Sequence, residues 1–422
     1  MTDIGSKHST TKRINLPLYN LRGVSILFVL AFHSLLAYVA FLPKGPYILD
    51  RAPYLWRAFP IVDKARWFGF DLFCAWLNIY LMTFFFFLSG FFVWSSLRRK
   101  GRYRFLLDRF IRLAVPFALA VGVLMPLANY PTYLQTASTP DFAVYWHEWL
   151  SLPFWPCGPM WFIWLLLAFD ILVVAVDIIV PKWDQWLIRL SSTAQTKPIR
   201  YLAGFILASA LAYVPMALAF TPSKWISFGP LSFEPSHLLH YIVYFFAGIG
   251  IGAYGIDRGL FAPDGWLLRN CTLLVLAAVS LWLLWMGANA PMALHPGLSS
   301  PVLEIVASFV FVLACASNCL ALLAVGFKYA RRPLPVLDGL SENAYNIYLV
   351  HYPFVIWLQF LLLTVSLPAV VKGPIVFAGT LLLSWWAVVG LRHAAGMILP
   401  MRSPTASRSF EGDPSHSDRR AF

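Results

Sequence analysis

The stretch Leu21-Arg-Gly-Val-Ser-Ile-Leu-Phe-Val-Leu-Ala-Phe-His-Ser34 decides the class of fold. It holds Arg22 and, eleven positions later, His33, with no other ionisable residue between them. Eleven residues are close to three helical turns, so both side chains fall on one helix face, about 16 Å apart along the axis. If Arg22 lies at a membrane surface, His33 lies near the middle of the bilayer. An ionisable group at that depth is costly and is by default a candidate for function.

Composition places the whole chain in a membrane. Of its 422 residues, 59% are hydrophobic and 12% are charged, whereas about 25% of a soluble domain is charged. Runs of about 18 or more uncharged residues are typical of transmembrane helices. We therefore expect an all-α polytopic bundle of about ten spans, near 20–42, 70–97, 109–128, 158–180, 200–220, 236–256, 267–287, 302–326, 341–363 and 374–397.

The distribution of the 32 basic residues predicts the orientation. With the N-terminus inside, 25 of them fall in cytoplasmic segments and seven in outer segments, five of these in the loop 44–66. Because Lys and Arg favour the cytoplasmic side, both termini are predicted to be cytoplasmic. The chain then divides into a polar N-terminus 1–16, a membrane domain 17–400 and a disordered cytoplasmic tail 401–422. The net charge of +13 mostly reflects topology, and no nucleic-acid partner is expected.

The cysteines and the lack of repeats exclude some classes of site and fold. Five cysteines form neither a CxxC pair nor a His/Cys spacing typical of metal ligands. The sequence therefore predicts no disulfide framework, no metal and no tightly bound cofactor. No internal repeat is visible, which weighs against transporter folds built from duplicated halves.

A basic segment precedes the third span. Arg109 and Arg112 are three positions apart at the start of a helix, so they share a face at the predicted cytoplasmic surface. One explanation is that they only anchor the helix by snorkelling. The other is a docking site for a phosphorylated cytosolic ligand, because clustered guanidinium groups bind phosphates bidentately.

The fourth span carries an aromatic entrance and a deep carboxylate. Trp161 opens it at the outer face, where aromatic residues are common in any membrane protein. Asp170 follows well inside the span. At that depth it should face the interior of the bundle and pair with an arginine or a histidine.

The ninth span holds a second intramembrane histidine, in Tyr345-Asn-Ile-Tyr348-Leu-Val-His351. His351 is expected about 15 Å from the cytoplasmic end, at a depth similar to that of His33. Tyr348 is three positions away and shares its face. A lone intramembrane histidine is more often only a hydrogen-bonding residue. Two at matching depth indicate chemistry, because a neutral imidazole is the usual general base for activating a hydroxyl.

Taken together, these motifs resemble the acyltransferase-3 family of membrane-bound O-acyltransferases. They occur in the family's order over roughly residues 15–395. The branch that the chain looks most like contains the periplasmic glucan succinyltransferases, called glucan biosynthesis protein C. The matching motifs are Arg22-x10-His33, Phe-Phe-x-Leu-Ser89-Gly90-Phe, Arg109-x-x-Arg112 before Pro116, Met160-Trp161-Phe162, and Tyr345-x-x-Tyr348-Leu-Val-His351-x-Pro353.

The resemblance implies a reaction and a location. Members of the family are thought to take an acyl group from cytosolic acyl-CoA, used as a cosubstrate, and to transfer it to a hydroxyl of a carbohydrate or glycan at the outer face. We therefore expect an acyl-CoA-dependent O-acyltransferase of the acetyl or succinyl class. Its expected location is the bacterial inner membrane, as a multi-pass protein in the lipid bilayer.

The resemblance also implies roles for individual residues. Arg22, Arg109 and Arg112 would hold the phosphates of coenzyme A. His33 would be the general base, and His351 and Tyr348 would position the acceptor or stabilise the oxyanion. The predicted substrate-binding residues are Trp161, Tyr345 and Asp170. A succinyl donor would need a cation near the thioester, for which Arg22 is the candidate.

Other functions remain open at this point. A proton-coupled secondary transporter or flippase could use His33, His351 and Asp170 as a proton relay. Such a transporter predicts helices broken near the midplane, for which Gly248-Ile-Gly-Ile-Gly252 is the one candidate. A scaffold without chemistry would leave two intramembrane histidines unexplained. The loop 44–66 could contact an anionic acceptor, contact lipid headgroups, or serve only as an anchor.

Overall fold

The computed structural model describes residues 15–294 and 300–398. The predicted tail 401–422 and most of the predicted N-terminal segment 1–16 lie outside these residues. The helices are α1 (Leu16–Leu35), α2 (Phe68–Lys100), α3 (Arg102–Arg109), α4 (Val115–Leu119), α5 (Met125–Thr136), α6 (Phe142–Ser151), α7 (Trp161–Ile179), α8 (Trp183–Thr196), α9 (Pro198–Phe220), α10 (Pro235–Tyr254), α11 (Trp266–Arg269), α12 (Cys271–Leu294), α13 (Pro301–Tyr329), α14 (Pro335–Leu361) and α15 (Ala369–Ile398).

Nine helical segments of the described ranges are long and apolar enough to cross a membrane. The expected all-α polytopic bundle is thereby confirmed. The remaining predicted span, 341–363, corresponds to α14, a helix of 27 residues that is not among the nine because its polar side chains lower its hydropathy. It nevertheless packs along α1, α5 and α15. Two short strands, β1 (Ile226–Phe228) and β2 (Leu231–Phe233), add an antiparallel hairpin that the sequence did not predict.

The first helix and α14 run side by side in the same direction. Gly23 marks their closest approach, since a Cβ there would lie 2.6 Å from Ser341 Oγ. The Ser341 hydroxyl donates to the Tyr19 carbonyl at 2.7 Å. Further along both helices, the Gln359 amide donates to the His33 carbonyl at 2.9 Å. Residues on α1 and α14 therefore meet at matching depths.

The third span is an irregular helix, and its prolines leave backbone carbonyls free to bind side chains of α14. It runs from α3 to α5 and contains π-helical turns at Phe110–Ala114 and Ala120–Leu124. Proline has no N–H group, so the carbonyl four residues before each proline loses its α-helical donor. Pro116 and Pro131 thus free two carbonyls on the surface that faces α14.

Side chains of α14 bind these two carbonyls. The Tyr345 hydroxyl donates to the Arg112 carbonyl at 2.5 Å, four residues before Pro116. The Trp357 indole donates to the Leu127 carbonyl at 3.0 Å, four residues before Pro131. Because both bonds join α14 to the third span, they fix the ninth predicted span against the segment that carries Arg109 and Arg112.

The glycine-rich segment of α10 is a packing surface. A Cβ on Gly90 of α2 would lie 2.2 Å from the Phe245 carbonyl, and one on Gly248 would lie 2.2 Å from the Phe87 carbonyl. Small residues allow such close approach of membrane helices. The helix is continuous from Pro235 to Tyr254. The break that a transporter would need is therefore not present in this segment.

The loop 44–66 is held against the bundle. Asp63 forms a buried ion pair with Lys372 of α15, with Nζ 2.7 Å from Oδ2. The backbone N–H of Asp63 donates to the Ala37 carbonyl at 3.1 Å. Trp56 is buried, and its indole donates to the Leu49 carbonyl. The loop is therefore a fixed cap over one end of the bundle, which we call the loop end; the end that holds Arg22 is called the arginine end.

Candidate active site

The structure brings the two predicted histidines together. The rings of His33 and His351 have centroids 5.3 Å apart and are inclined at 42°. Parallel packing of α1 and α14 produces this contact, because it sets residues of equal depth side by side. His33 is half-buried and His351 is fully buried. The pair is therefore a compact intramembrane site with one imidazole more accessible than the other.

The backbone fixes the proton on His351. Its Nδ1 lies 2.7 Å from the carbonyl oxygen of Tyr348, and a carbonyl can only accept. Nδ1 must therefore carry the proton, which leaves a lone pair on Nε2 of the neutral ring. Nε2 is buried and has no hydrogen-bond partner among the described residues. An orphan acceptor of this kind next to His33 is suited to receive a hydrogen bond from a ligand hydroxyl.

Tyrosines surround the histidine pair. The Tyr348 hydroxyl donates to the Pro159 carbonyl, so it must leave that carbonyl before it can stabilise an oxyanion. Tyr352, which sequence analysis did not single out, has its ring 5.4 Å from that of His33. Phe162 lies 6.2 Å from Tyr348, centroid to centroid. The segment before α7 that contains Pro159 therefore lies next to the tyrosines of the histidine pair, on the loop-end side.

The deep carboxylate Asp170 pairs with a predicted donor-binding arginine. Arg109 Nε lies 3.3 Å from Asp170 Oδ2, and the Asp170 side chain has 0% relative exposure. The guanidinium carbon of Arg109 also lies 5.1 Å from the centre of the Phe105 ring. The expectation that Asp170 faces the interior and pairs with an arginine or a histidine is met. Its contact with Arg109 makes it a support for that arginine.

The other two arginines are more accessible. Arg112 Nε lies 3.0 Å from Asp108, and its side chain is 68% exposed. Arg22 is exposed, and no carboxylate of the described residues lies within 4.0 Å of it. The contact of Tyr345 with the Arg112 backbone places α14 alongside Arg112, and α14 also packs against α1, which carries Arg22. The exposure of Arg22 means that it is not the buried cation that a succinyl donor was expected to need.

The predicted entrance residue Trp161 faces away from the histidine pair. Its ring stacks on Tyr241 of α10 at 6.0 Å and meets Trp225 at 5.5 Å. Its neighbour Phe162 is the residue of this motif that contacts Tyr348. Successive helical residues point about 100° apart, so the two rings leave the helix in different directions.

A second polar cluster lies in the bundle and was missed by sequence analysis. His240 Nδ1 lies 3.0 Å from Ser209 Oγ, and its Nε2 lies 3.5 Å from Cys315 Sγ. A histidine within hydrogen-bond reach of a serine or a cysteine is an arrangement used in covalent catalysis. All three residues have 0% relative exposure, so substrates do not reach them in this structure. They lie on α9, α10 and α13, and no spacing within the sequence connects them.

Metal sites and cavities do not add to the site. Within residues 15–294 and 300–398, no group of three His, Cys, Asp or Glu side chains could hold a metal ion. A cavity of about 380 Å³ lies between α2, α12 and α13, lined by Trp76, Tyr80, Trp282, Asn318 and apolar side chains. None of the predicted site residues lines it.

Comparison with known proteins gives one match. A family model described as an acyltransferase domain matches residues 18–389. No curated protein matches the chain, and no solved structure does. The matched range contains all the predicted site residues and both histidines of the pair.

Proposed function

We propose the function of this chain from its family: it belongs to the acyltransferase-3 family and is an integral, multi-pass membrane acyltransferase. The proposed reaction takes an acyl group of the acetyl or succinyl class from cytosolic acyl-CoA. The proposed acceptor is a hydroxyl of an outer-facing carbohydrate or glycan, and the proposed location is a bacterial inner membrane. The glucan succinyltransferase branch remains a prediction from the motifs.

The observation that carries the proposal is the contact between His33 and His351. A base in the middle of a bilayer can meet a donor that enters from one side and an acceptor that enters from the other. His33 is the more accessible of the two imidazoles, and we assign it the role of general base. His351, whose Nε2 can only accept, would hold the acceptor through a second hydroxyl.

The proposed chemical step is a direct transfer. The acceptor oxygen attacks the thioester carbonyl carbon while His33 takes the hydroxyl proton. The tetrahedral intermediate then collapses, the carbon–sulfur bond breaks, and the His33 imidazolium returns the proton to the coenzyme A sulfur. The products are an ester and free coenzyme A. Since Nδ1 of His351 is engaged by the backbone, that ring cannot donate to the oxyanion in this tautomer.

The arginine end would hold the donor. No carboxylate of the described residues pairs with Arg22, and the Arg112 side chain is largely exposed, so both guanidinium groups are accessible to phosphates. Arg109 would contribute a third charge whose position Asp170 fixes. From there, about three helical turns along α1 lead from Arg22 to His33, a path that the pantetheine arm would follow.

The test uses purified wild-type protein and the His33→Ala variant with a panel of acyl-CoAs and a cell-envelope glycan extract. Released coenzyme A is measured as free thiol and the acylated product by mass spectrometry. We expect turnover by the wild type only, with acyl-CoA binding retained in the variant. His147→Ala, which removes an exposed histidine of α6, is the matched control and should leave turnover unchanged.

A wild type that neither binds nor consumes any acyl-CoA would overturn the donor assignment. Proton-coupled transport, measured in vesicles with the same two histidine variants, would then be the function to examine. Turnover by His33→Ala at the wild-type rate would instead reject His33 as the base while leaving the acyltransferase reaction in place.

A further inference from the structure

One basic residue of the loop 44–66 differs from the other four. The exposed members are Lys44, Arg51, Lys64 and Arg66. Arg57 is half-buried, and its guanidinium carbon lies 4.2 Å from the centre of the Phe154 ring. Exposed basic residues are ordinary at a membrane surface. A basic residue turned toward the protein interior calls for a partner.

The protein satisfies only part of the Arg57 guanidinium. Nη2 donates to Ser227 Oγ at 3.0 Å and to Ser232 Oγ at 3.2 Å, both on the β-hairpin. No carboxylate of the described residues lies within 4.0 Å of Arg57. Arginine has five N–H donors, so Nε and Nη1 keep three that no residue of the described ranges accepts. Burial lowers the pKa of Arg57, as expected for an uncompensated cation.

A short segment joins Arg57 to the histidine pair. Phe154, under the guanidinium, is followed by Cys157, which is 3% exposed and whose thiol pKa is raised by burial. At the next position, a Cβ on Gly158 would lie 3.0 Å from the Tyr352 ring. That ring is in turn 5.4 Å from the ring of His33, centroid to centroid. Arg57 therefore lies on the loop-end side of the site, opposite the end that holds Arg22.

We infer that Arg57 binds an anionic group, a carboxylate or a phosphate, on the acceptor whose hydroxyl reaches His33. The free Nε–H and Nη1–H groups point in different directions, and each can give such a group a charge-assisted hydrogen bond. The two serines and the Phe154 ring hold the guanidinium in place, and the buried Asp63–Lys372 pair fixes the loop that carries it. The assignment to the acceptor rests on the proposed function, in which the donor enters from the arginine end.

A binding experiment tests the site without any turnover. Two trisaccharides that differ only by a glucuronate in place of a glucose are titrated into the purified protein, and the thermal unfolding temperature is followed. We expect the anionic trisaccharide to raise it and the neutral one to have a smaller effect. Arg57→Gln should abolish the difference. Arg51→Gln removes the same charge from an exposed position of the same loop and should leave the difference between the two trisaccharides unchanged.

A kinetic experiment then identifies which substrate carries the anion. Both trisaccharides are assayed with acetyl-CoA and with succinyl-CoA in wild type, Arg57→Gln, Arg57→Lys and Arg51→Gln. For the anionic acceptor, we expect Arg57→Gln to lower kcat/KM about 10- to 100-fold, the range for a hydrogen bond to a charged group. Neutral-acceptor turnover should hardly change. The value for Arg57→Lys should fall between those of wild type and Arg57→Gln, since lysine keeps the charge but loses the directed guanidinium donors.

The outcomes separate this inference from the proposed function. If Arg57→Gln lowers kcat/KM for succinyl-CoA with the neutral acceptor, Arg57 binds the carboxylate of the acyl group. That result would overturn the assignment to the acceptor. If Arg57→Gln lowers kcat/KM equally for every donor–acceptor pair, and the anionic trisaccharide does not raise the unfolding temperature, Arg57 has a structural role only. If the wild type transfers no acyl group but the anionic trisaccharide still binds through Arg57, the proposed function fails while the anion site stands. Absence of any Arg57-dependent difference in binding rejects the site.

Discussion

His33 and His351 lie with their ring centroids 5.3 Å apart, although they come from α1 and α14, near opposite ends of the chain. Parallel packing of these helices at Gly23 and Ser341 aligns the two depths. The result is a pair in which the Tyr348 carbonyl fixes the His351 ring, while no described residue forms a hydrogen bond with the His33 ring. This asymmetry is what assigns different roles to the two residues.

The first prediction separates those roles. Glutamine can accept and donate hydrogen bonds, but it cannot take a proton from a hydroxyl at neutral pH. If His33 is the general base, His33→Gln should lower kcat about 10²- to 10⁴-fold. His351→Gln should act mainly by raising KM for the acceptor. Steady-state kinetics with a defined acceptor measures both, and the reverse pattern would make His351 the base.

The second prediction concerns the Arg109–Asp170 pair. Arg109→Gln leaves the fully buried Asp170 carboxylate without its charge partner, so we expect a loss of about 3–5 kcal/mol of unfolding free energy. Adding Asp170→Asn should restore most of that stability while donor affinity stays reduced. Denaturant unfolding in detergent and titration of acyl-CoA measure the two effects. The exposed Arg104→Gln is the matched control. Equal stability of the single and double variants would show that the pair does not contribute.

The third prediction tests the docking of α14 at the carbonyls freed by proline. Trp357→Phe removes the indole donor from the Leu127 carbonyl and should cost about 1 kcal/mol. In a Pro131→Ala background, the backbone N–H at 131 can serve that carbonyl, so the same substitution should cost clearly less. A double-mutant cycle of unfolding free energies measures the difference. Additive costs would mean that the indole and the missing N–H are unrelated.

The fourth prediction is a pH dependence at the loop end. Burial raises the pKa of Glu234 to about 8, and a hydrogen bond with Trp225 opposes part of that rise. The carboxyl ordinarily ionises near 4.5, so between these values the folded state holds more protons than the unfolded one. Stability should therefore fall as pH rises from about 4.5 through about 8.

Glu234→Gln, which stays neutral, should remove this fall. Thermal unfolding of the purified protein at several pH values across this window measures it, with the exposed Glu342→Gln as the control. A wild type as stable at pH 8 as at pH 5, and unaffected by the substitution, would contradict the prediction.

Several features of the site could be predicted from the sequence because they are local. The spacing of Arg22 and His33 depends only on helical period, and the depth of Asp170 depends only on its position in an apolar run. The partner of Asp170 could be predicted to be an arginine or a histidine, because a buried carboxylate needs a positive charge or a hydrogen-bond donor beside it. Tertiary structure selected Arg109 from these classes.

Other features could not be read at that level. The ring of Trp161, predicted to line the entrance, packs on Tyr241, and the ring of its neighbour Phe162 lies near Tyr348. Arg57 could not be told apart from the other basic residues of its loop, since all five look alike in sequence. Only the positions of Ser227 and Ser232 on a distant hairpin show that it is turned inward.

The sequence by itself determined that this chain is a polytopic helical membrane protein, because long uncharged runs must satisfy their backbone hydrogen bonds as helices within a bilayer. It also indicated candidate residues for the chemistry, because polar groups at that depth are few. Tertiary structure alone decided which of them meet. The parallel contact of α1 with α14, and the proline-freed carbonyls that bind Tyr345 and Trp357, depend on packing between segments far apart in the chain. No local pattern encodes such contacts, since they arise from the complementary shapes and donors of two surfaces.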